Sequence, residues 1–193
     1  MHTTRTTPTS DPRTSSVIRL VLAYEDFEAG KRAQRACQQL APPASPDTAV
    51  NLDSWKFDLL KLPSMRTMAA QAVAGSDLVI LAPHDGETLP CFVLEWIRLT
   101  LRHSATRPKG LLLLMGLDPE DQEPLLATKH PLKELAARSG IPFWCLHPEA
   151  PNDAWEEPGY APGELERVAQ AIFPRYPAAA VPLQPGVLTN LGG

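Results

Sequence analysis

The chain has 193 residues, a length that fits one domain with a substantial core rather than two domains. Hydrophobic residues make up 44% of the sequence and charged residues 21%, as in an ordinary globular protein. The formal net charge is −4. This charge offers no electrostatic reason to expect nucleic acid or an anionic membrane as a partner.

The two ends of the chain differ in composition from the middle. Residues 1–16 are rich in Thr and Ser and lack the apolar segment of a secretory signal, so they predict a flexible tail. Residues 174–193 contain four prolines, which preclude a regular helix and predict a second, extended tail. The domain is expected over residues 17–173.

The cysteines and the hydropathy pattern indicate the compartment. Cys37, Cys91 and Cys145 are isolated, and none forms a C-x-x-C pair. This usage suits a reducing compartment and argues against a disulfide framework or a zinc site. No apolar run is long enough to cross a membrane. We expect a cytoplasmic protein.

Apolar runs alternate with amphipathic stretches, which predicts strand–helix units. Strands are expected over residues 17–23, 49–52, 77–82, 110–115 and 142–146. The third and fourth are continuous apolar runs, typical of strands buried on both faces. Five strands alternating with five helices predict a three-layer α/β fold of flavodoxin-like type, with one parallel sheet of order 2-1-3-4-5 and helices on both faces.

The helices are predicted from apolar spacings of three and four residues and from their end signals. In the first helix, Phe27 is expected at the start of the apolar side. In the second, Ser64 is the expected cap and Met68 belongs to the buried face. Gly140 is expected to end the fourth helix, and Pro162 to lie in the first turn of the fifth.

Ligands of such a sheet bind beyond the carboxyl ends of the strands, where the winding reverses between the first and third strands. The loops predicted at that place supply a candidate cofactor-binding group: Pro83, His84, Asp85, Gly86 and Gly116. Tyr24, Trp55 and His147 are expected at the rim of the pocket, with Trp55 just after the second strand. No residue is predicted to be catalytic.

Residues 77–90 resemble the third-strand region of NAD(P)H-dependent FMN reductases of the flavodoxin-like superfamily. In those enzymes a Pro-Glu-Tyr-Asn-Gly-Ser loop precedes a helix that begins with Pro, and the loop lines the flavin ring. Pro83, Gly86 and Pro90 match this pattern, whereas positions 84, 85 and 87 depart from it. The resemblance implies FMN as a cofactor.

The loop after the first strand opposes that cofactor. In this fold the FMN phosphate is held there by Ser, Thr and Gly residues and by helix amides, but this chain has Glu25, Asp26 and Glu28. At an effective dielectric constant of about 20, each like-charge contact at about 4 Å costs about 4 kcal/mol. FMN is therefore disfavoured, and Lys31 and Arg32 compensate only in part.

Glu25 and Asp26 also resemble the acidic pair with which response-regulator receiver domains bind Mg²⁺. That resemblance implies a phosphate-accepting Asp after the third strand, a Ser or Thr after the fourth and a Lys-Pro after the fifth. The corresponding positions here hold Ala82, Met115 or Gly116, and His147-Pro148. An acidic pair without its acceptor indicates a pseudo-receiver.

Two interpretations of the acidic turn stay open. Asp26 suits a helix N-cap, and acids in a first turn stabilise a helix by roughly 0.3–1 kcal/mol each through the macrodipole. Alternatively, Glu25, Asp26 and Asp85 hold a divalent cation such as Mg²⁺, because oxygen-rich clusters suit that ion.

The leading hypothesis is a non-catalytic flavodoxin-like or pseudo-receiver module that acts through protein–protein contacts. The alternative is a flavoprotein similar to the FMN reductases. A third hypothesis is a metal-assisted hydrolase that uses Glu25, Asp26, Asp85 and His84. The sequence leaves open whether the protein is an enzyme, which protein it contacts and whether it forms a homodimer.

Overall fold

The structure, a computed structural model, describes residues 16–40, 48–84, 88–103, 107–116, 123–149 and 159–173. Its strands are β1 (Ser16–Tyr24), β2 (Thr48–Lys56), β3 (Leu78–Ala82), β4 (Gly110–Leu114), β5 (Phe143–Leu146), β6 (Pro148–Glu149) and β7 (Gly159–Tyr160). Its helices are α1 (Phe27–Leu40), α2 (Phe57–Leu60), α3 (Pro63–Val73), α4 (Cys91–His103), α5 (Glu123–Ser139) and α6 (Pro162–Ile172).

The main sheet has five parallel strands in the order β2-β1-β3-β4-β5. Helices α1 and α6 pack on one face, and helices α2 to α5 pack on the other. The predicted strand order and layers are therefore confirmed, and the fold is flavodoxin-like. The described residues contain no helix with the length and apolarity that a membrane span requires.

The central strands are buried because each sheet face is covered by helices. In β3, Leu78 and Ile80 belong to the core under α1 and α6, whereas Val79 and Leu81 belong to the opposite core. All five residues of β3 and all five of β4 are buried. Double-sided burial explains why these strands have continuous apolar sequences rather than alternating ones.

The second strand is longer than predicted. The sequence indicated residues 49–52, but β2 has nine residues and pairs with β1 along its whole length. Trp55 therefore lies inside the strand, opposite Ala23, and not in a loop after it. The prediction stopped early because this edge strand exposes polar residues, among them Asp53 and Ser54.

Two helix faces also differ from the prediction. Phe27, expected on the buried side of α1, is 77% exposed because it is the first residue of the helix and lies beyond the packed part. Helix α3 begins at Pro63, so the cap position falls on Leu62 and not on Ser64. Met68 is 53% exposed, while Phe57 and Leu60 of α2, a helix that was not predicted, are buried in the core on that face.

The predicted end of the fourth helix and start of the fifth are confirmed, and one pair of short strands was not predicted. Gly140 follows α5 with a φ of 68°, and Pro162 begins α6. The short antiparallel pair of β6 and β7 was not predicted; it places Tyr160 against the core under α1 and α6. The predicted tails lie outside the described residues, except that Ser16 already belongs to β1.

The three cysteines have different environments. Burial raises the pKa of the Cys37 thiol in α1 to about 12. Burial likewise raises the pKa of the half-buried Cys145 in β5 to about 11. Cys91, the first residue of α4, is exposed.

Gly110 is a sensitive position in the core. A Cβ atom there would lie 2.4 Å from Cζ3 of Trp144 and 3.2 Å from Cδ1 of Ile172. We expect Gly110→Ala to lower the free energy of unfolding by about 1–3 kcal/mol, the usual cost of overpacking. Urea denaturation followed by circular dichroism measures this change.

The matched control is Gly163→Ala in the first turn of α6. A Cβ atom at Gly163 meets no atom within 4 Å, so we expect unchanged or slightly increased stability. Equal stability of the two variants would contradict the packing assignment of Gly110.

Candidate functional site

The candidate site lies at the carboxyl ends of β1 and β3. These two strands are neighbours, yet the chain leaves β1 for α1 on one face and leaves β3 for α4 on the other. The resulting crevice is the topological switch point where ligands of this fold class bind. The residues predicted to bind a cofactor were expected at this point.

The acidic turn between β1 and α1 is bonded to backbone amides. The Glu25 carboxylate accepts the backbone N–H of His84 at 2.8 Å. The Asp26 carboxylate accepts the backbone N–H of Ala29 at 2.9 Å, which confirms the predicted N-cap. The second oxygen of Asp26 pairs with the Nδ1 atom of His84. Both carboxylates therefore join the first turn of α1 to the end of β3.

Arg32, one turn further along α1, forms the second tie across the crevice. Its Nη2 atom donates to the carbonyl oxygens of Pro83 and His84, each at 3.1 Å. Its Nε atom donates to the Tyr160 hydroxyl at 3.1 Å. One guanidinium thereby connects α1 with the segment after β3 and with β7.

Tyr160 extends this network into the core. It is 4% exposed, and its hydroxyl donates to the carbonyl oxygen of Met115, just after β4, at 2.7 Å. Burial raises the pKa of Tyr160 to about 12, although the nearby Arg32 acts in the opposite direction. The phenol is therefore neutral at physiological pH and keeps its proton for Met115.

These bonds decide how the crevice fits an FMN phosphate. Such a phosphate is bound by free backbone amides at the start of α1. Here Asp26 already accepts the amide of Ala29, and Glu25 brings a second negative charge. Arg32 is committed to two carbonyls and a hydroxyl. The residues of the first loop do not fit a phosphate dianion.

The positions that were compared with receiver domains lie at the carboxyl edge of the sheet. Ala82 is the last residue of β3, is fully buried and pairs with Tyr24. Gly116 follows β4 and is buried. His147 follows β5, with its Nε2 atom 3.8 Å from the Sγ atom of Cys145.

The remaining candidates fall into two groups. Pro83 is buried beside His84, and Tyr24 packs its ring over Gly30 of α1. Asp85 and Gly86 lie outside the described residues, so the Mg²⁺ site with Glu25 and Asp26 stays a prediction. Within the described ranges, no three His, Cys, Asp or Glu side chains are grouped as metal ligands would be.

Arg32 was expected only to act as a partial counter-charge, and its bonds across the crevice were not predicted. Tyr160 was not predicted as a site residue, because it is 128 positions away from Arg32 along the chain. The amphipathic pattern that predicts helices gives no signal for a bond between such distant residues. A tyrosine two residues before Pro162, the first residue of α6, was the local sign.

No protein-family model matches the chain, and no curated protein matches it in sequence. Among solved structures, the chain is similar to the Trp repressor binding protein from Bacillus subtilis, with 10% identity and a TM-score of 0.42 over 79% of this chain and 92% of that one. It is also similar to Smu.1420 from Streptococcus mutans UA159, with 12% identity and a TM-score of 0.44 over 80% and 96%. Similarity at this level concerns the fold alone.

The N-cap role of Asp26 leads to a stability prediction. Asp26→Ala removes the acceptor of the Ala29 amide and should lower the free energy of unfolding by about 0.5–2 kcal/mol. Asp26→Asn retains a side-chain oxygen for the cap and should cost clearly less. Glu28→Ala removes an exposed acid from the same helical turn and is the control. Equal losses for Asp26→Asn and Asp26→Ala would contradict the cap.

Tyr160 leads to a pH prediction. Because its pKa is raised from 10.0 in the folded state, the stabilisation is complete below pH 10.0 and is lost as the pH rises through about 12. Tyr160→Phe should lower the free energy of unfolding by about 1–3 kcal/mol at neutral pH. The difference between wild type and variant should shrink between these two pH values. Denaturant titrations at several pH values measure it, and a constant difference would disprove the assignment.

Proposed function

We propose that this chain is a non-catalytic flavodoxin-like module of pseudo-receiver type that acts through contacts with other proteins. One observation supports this most directly: the charged groups at the switch point are bonded to the protein itself. Glu25 and Asp26 accept backbone amides, and Arg32 donates to backbone carbonyls. In a ligand-binding member of this fold, such groups face the ligand.

The energetics favour this closed arrangement. Hydrogen bonds that involve a charged group contribute roughly 1.5–3 kcal/mol each. A ligand that entered the first loop would have to displace several of them, including those of Glu25 and Arg32. The displaced carboxylates would then lie beside the incoming group. We therefore infer that the crevice is a structural joint between β1, β3 and α1.

The surface also supports contacts with proteins. Three large apolar side chains in and between α2 and α3 are exposed: Leu59 at 43%, and Leu62 and Met68 at 53% each. They lie within ten positions of one another in the sequence. Exposed apolar side chains that form one contiguous patch are typical of a protein-binding surface. The partner is either another protein or a second copy of this chain.

The alternative is a flavoprotein similar to the FMN reductases. It rests on the fold and on residues 83–90, which resemble the loop at the flavin ring, and residues 85–87 of that loop lie outside the described ranges. The two hypotheses make opposite predictions for flavin binding, because only the flavoprotein hypothesis requires the chain to bind FMN.

The deciding experiment is a visible absorption spectrum of the purified protein, followed by titration of FMN against tryptophan fluorescence. We expect no flavin absorption and no saturable quenching at micromolar FMN, because the first loop repels the phosphate. A yellow protein or saturable micromolar quenching would overturn the proposal.

A variant tests the physical reason. Glu25→Ser combined with Asp26→Ser exchanges both carboxylates for hydroxyls, and Ser at position 26 still serves as an N-cap. If the carboxylates repel the phosphate, this double variant should bind FMN more tightly than wild type in the same fluorescence titration. FMN binding as weak as in wild type would contradict carboxylate repulsion as the reason.

A further inference from the structure

A groove rich in arginine lies at the amino edge of the sheet, opposite the acidic turn. It has a volume of about 340 Å³ and is formed by the last turns of α4 and α5 and by the segment that leads into β4. Four arginines line it: Arg98, Arg102, Arg107 and Arg138. Leu101 and Leu135 supply its apolar wall. None of the described lining residues is acidic.

This concentration of positive charge contrasts with the chain as a whole, whose formal net charge is −4. Arg98 and Arg102 are four positions apart on α4, and like charges at that spacing destabilise a helix by about 0.2–0.5 kcal/mol. The acid one turn before Arg98 does not relieve them, because Glu95 pairs with Arg66 of α3. The arrangement thus lowers helix stability in the absence of an anion.

Favourable interaction with the helix dipoles explains only some of the four arginines. Cations near a helix C-terminus are favourable, and Arg102 and Arg138 occupy the last turns of α4 and α5. Arg138 also lies 3.4 Å from a carboxylate oxygen of Glu134. Arg98 lies a turn before the end of α4, where the dipole effect has faded.

Arg107 is held in place by a hydrogen bond to the end of α5. Its Nη1 atom donates to the carbonyl oxygen of Ser139, the last residue of α5, at a distance of 2.8 Å. This bond uses one of the five N–H groups of the guanidinium and fixes its position beside the groove. A pre-positioned guanidinium loses less conformational entropy when it binds an anion.

The identity of the cations indicates the chemistry of the ligand. All four cations that line the groove are arginines, although the chain also contains lysines. The guanidinium fork matches two oxygens of one phosphate group, whereas an ammonium acts as a point charge. The volume lies within the range of small-molecule sites. Four guanidiniums exceed what a single phosphate dianion can neutralise.

We propose that this groove binds linked phosphate groups, as found in inorganic pyrophosphate or in the diphosphate of a nucleotide. Arg98, Arg102 and Arg107 are the main contacts, and Arg138 completes the set. The site is independent of the proposed function, because it lies at the other edge of the sheet from Glu25 and Arg32. The described lining offers no aromatic side chain on which a base would stack.

Isothermal titration calorimetry of the full chain with pyrophosphate at constant ionic strength tests the proposal. We expect saturable binding that becomes at least tenfold weaker in the double variant Arg98→Gln/Arg102→Gln. Arg167→Gln removes an exposed arginine on α6 and is the matched control, with unchanged affinity expected. No binding by wild type, or equal loss in the control, overturns the proposal.

Further titrations test whether the groove recognises the shape of the phosphate group or only its charge. Arg102→Lys keeps the charge and should still weaken pyrophosphate binding, whereas wild-type affinity in this variant overturns recognition by the fork. Citrate should bind more weakly than pyrophosphate, and equal binding overturns phosphate recognition.

The affinity for ADP identifies the source of the phosphate. If ADP binds as tightly as pyrophosphate, the inorganic diphosphate is the recognised unit. If ADP binds much more tightly, the ligand is a nucleotide. Circular dichroism confirms that each variant is folded.

Discussion

The guanidinium of Arg32 is the contact on which the carboxyl edge of the sheet depends. It donates to two carbonyls after β3 and to the hydroxyl of Tyr160, which in turn donates to the chain after β4. A charge shared among so many acceptors is costly to remove, because each would lose its donor. In this way Arg32 joins α1 to the segments that follow β3 and β4.

The direction of the helices relates the two edges of the sheet. In a parallel α/β fold, helix N-termini gather at the carboxyl edge of the strands and helix C-termini at the amino edge. Helix dipoles therefore favour acids such as Asp26 at the first edge and arginines such as Arg102 and Arg138 at the second. The two edges nevertheless differ. The carboxylates of the acidic turn are bonded to backbone amides. The four arginines line a groove, where Arg107 donates to the Ser139 carbonyl and Arg138 lies beside Glu134.

The strand order was predictable because burial on both faces leaves a strong signal. The continuous apolar runs of β3 and β4 admit few alternatives, and right-handed crossovers then determine the order. Strands at the edge of the sheet or outside it have a weaker apolar pattern in the sequence. The exposed edge of β2 permits polar residues, and the two-residue strands β6 and β7 are too short to show a period. The N-cap of Asp26 is local and was predicted, whereas the bond between Arg32 and Tyr160 joins residues 128 positions apart. Long-range pairs of this kind depend on the finished fold.

The three cysteines differ in their reactivity towards thiol reagents, because their environments differ. Thiol reagents attack the thiolate, and burial suppresses that form at Cys37 and Cys145. Cys91 is exposed at the start of α4. A maleimide at neutral pH would therefore modify Cys91 in the native protein and reach Cys37 only when α1 separates from the sheet. One natural position thus accepts a fluorophore without mutation, and the rate at which further thiols are labelled reports how often the native structure opens.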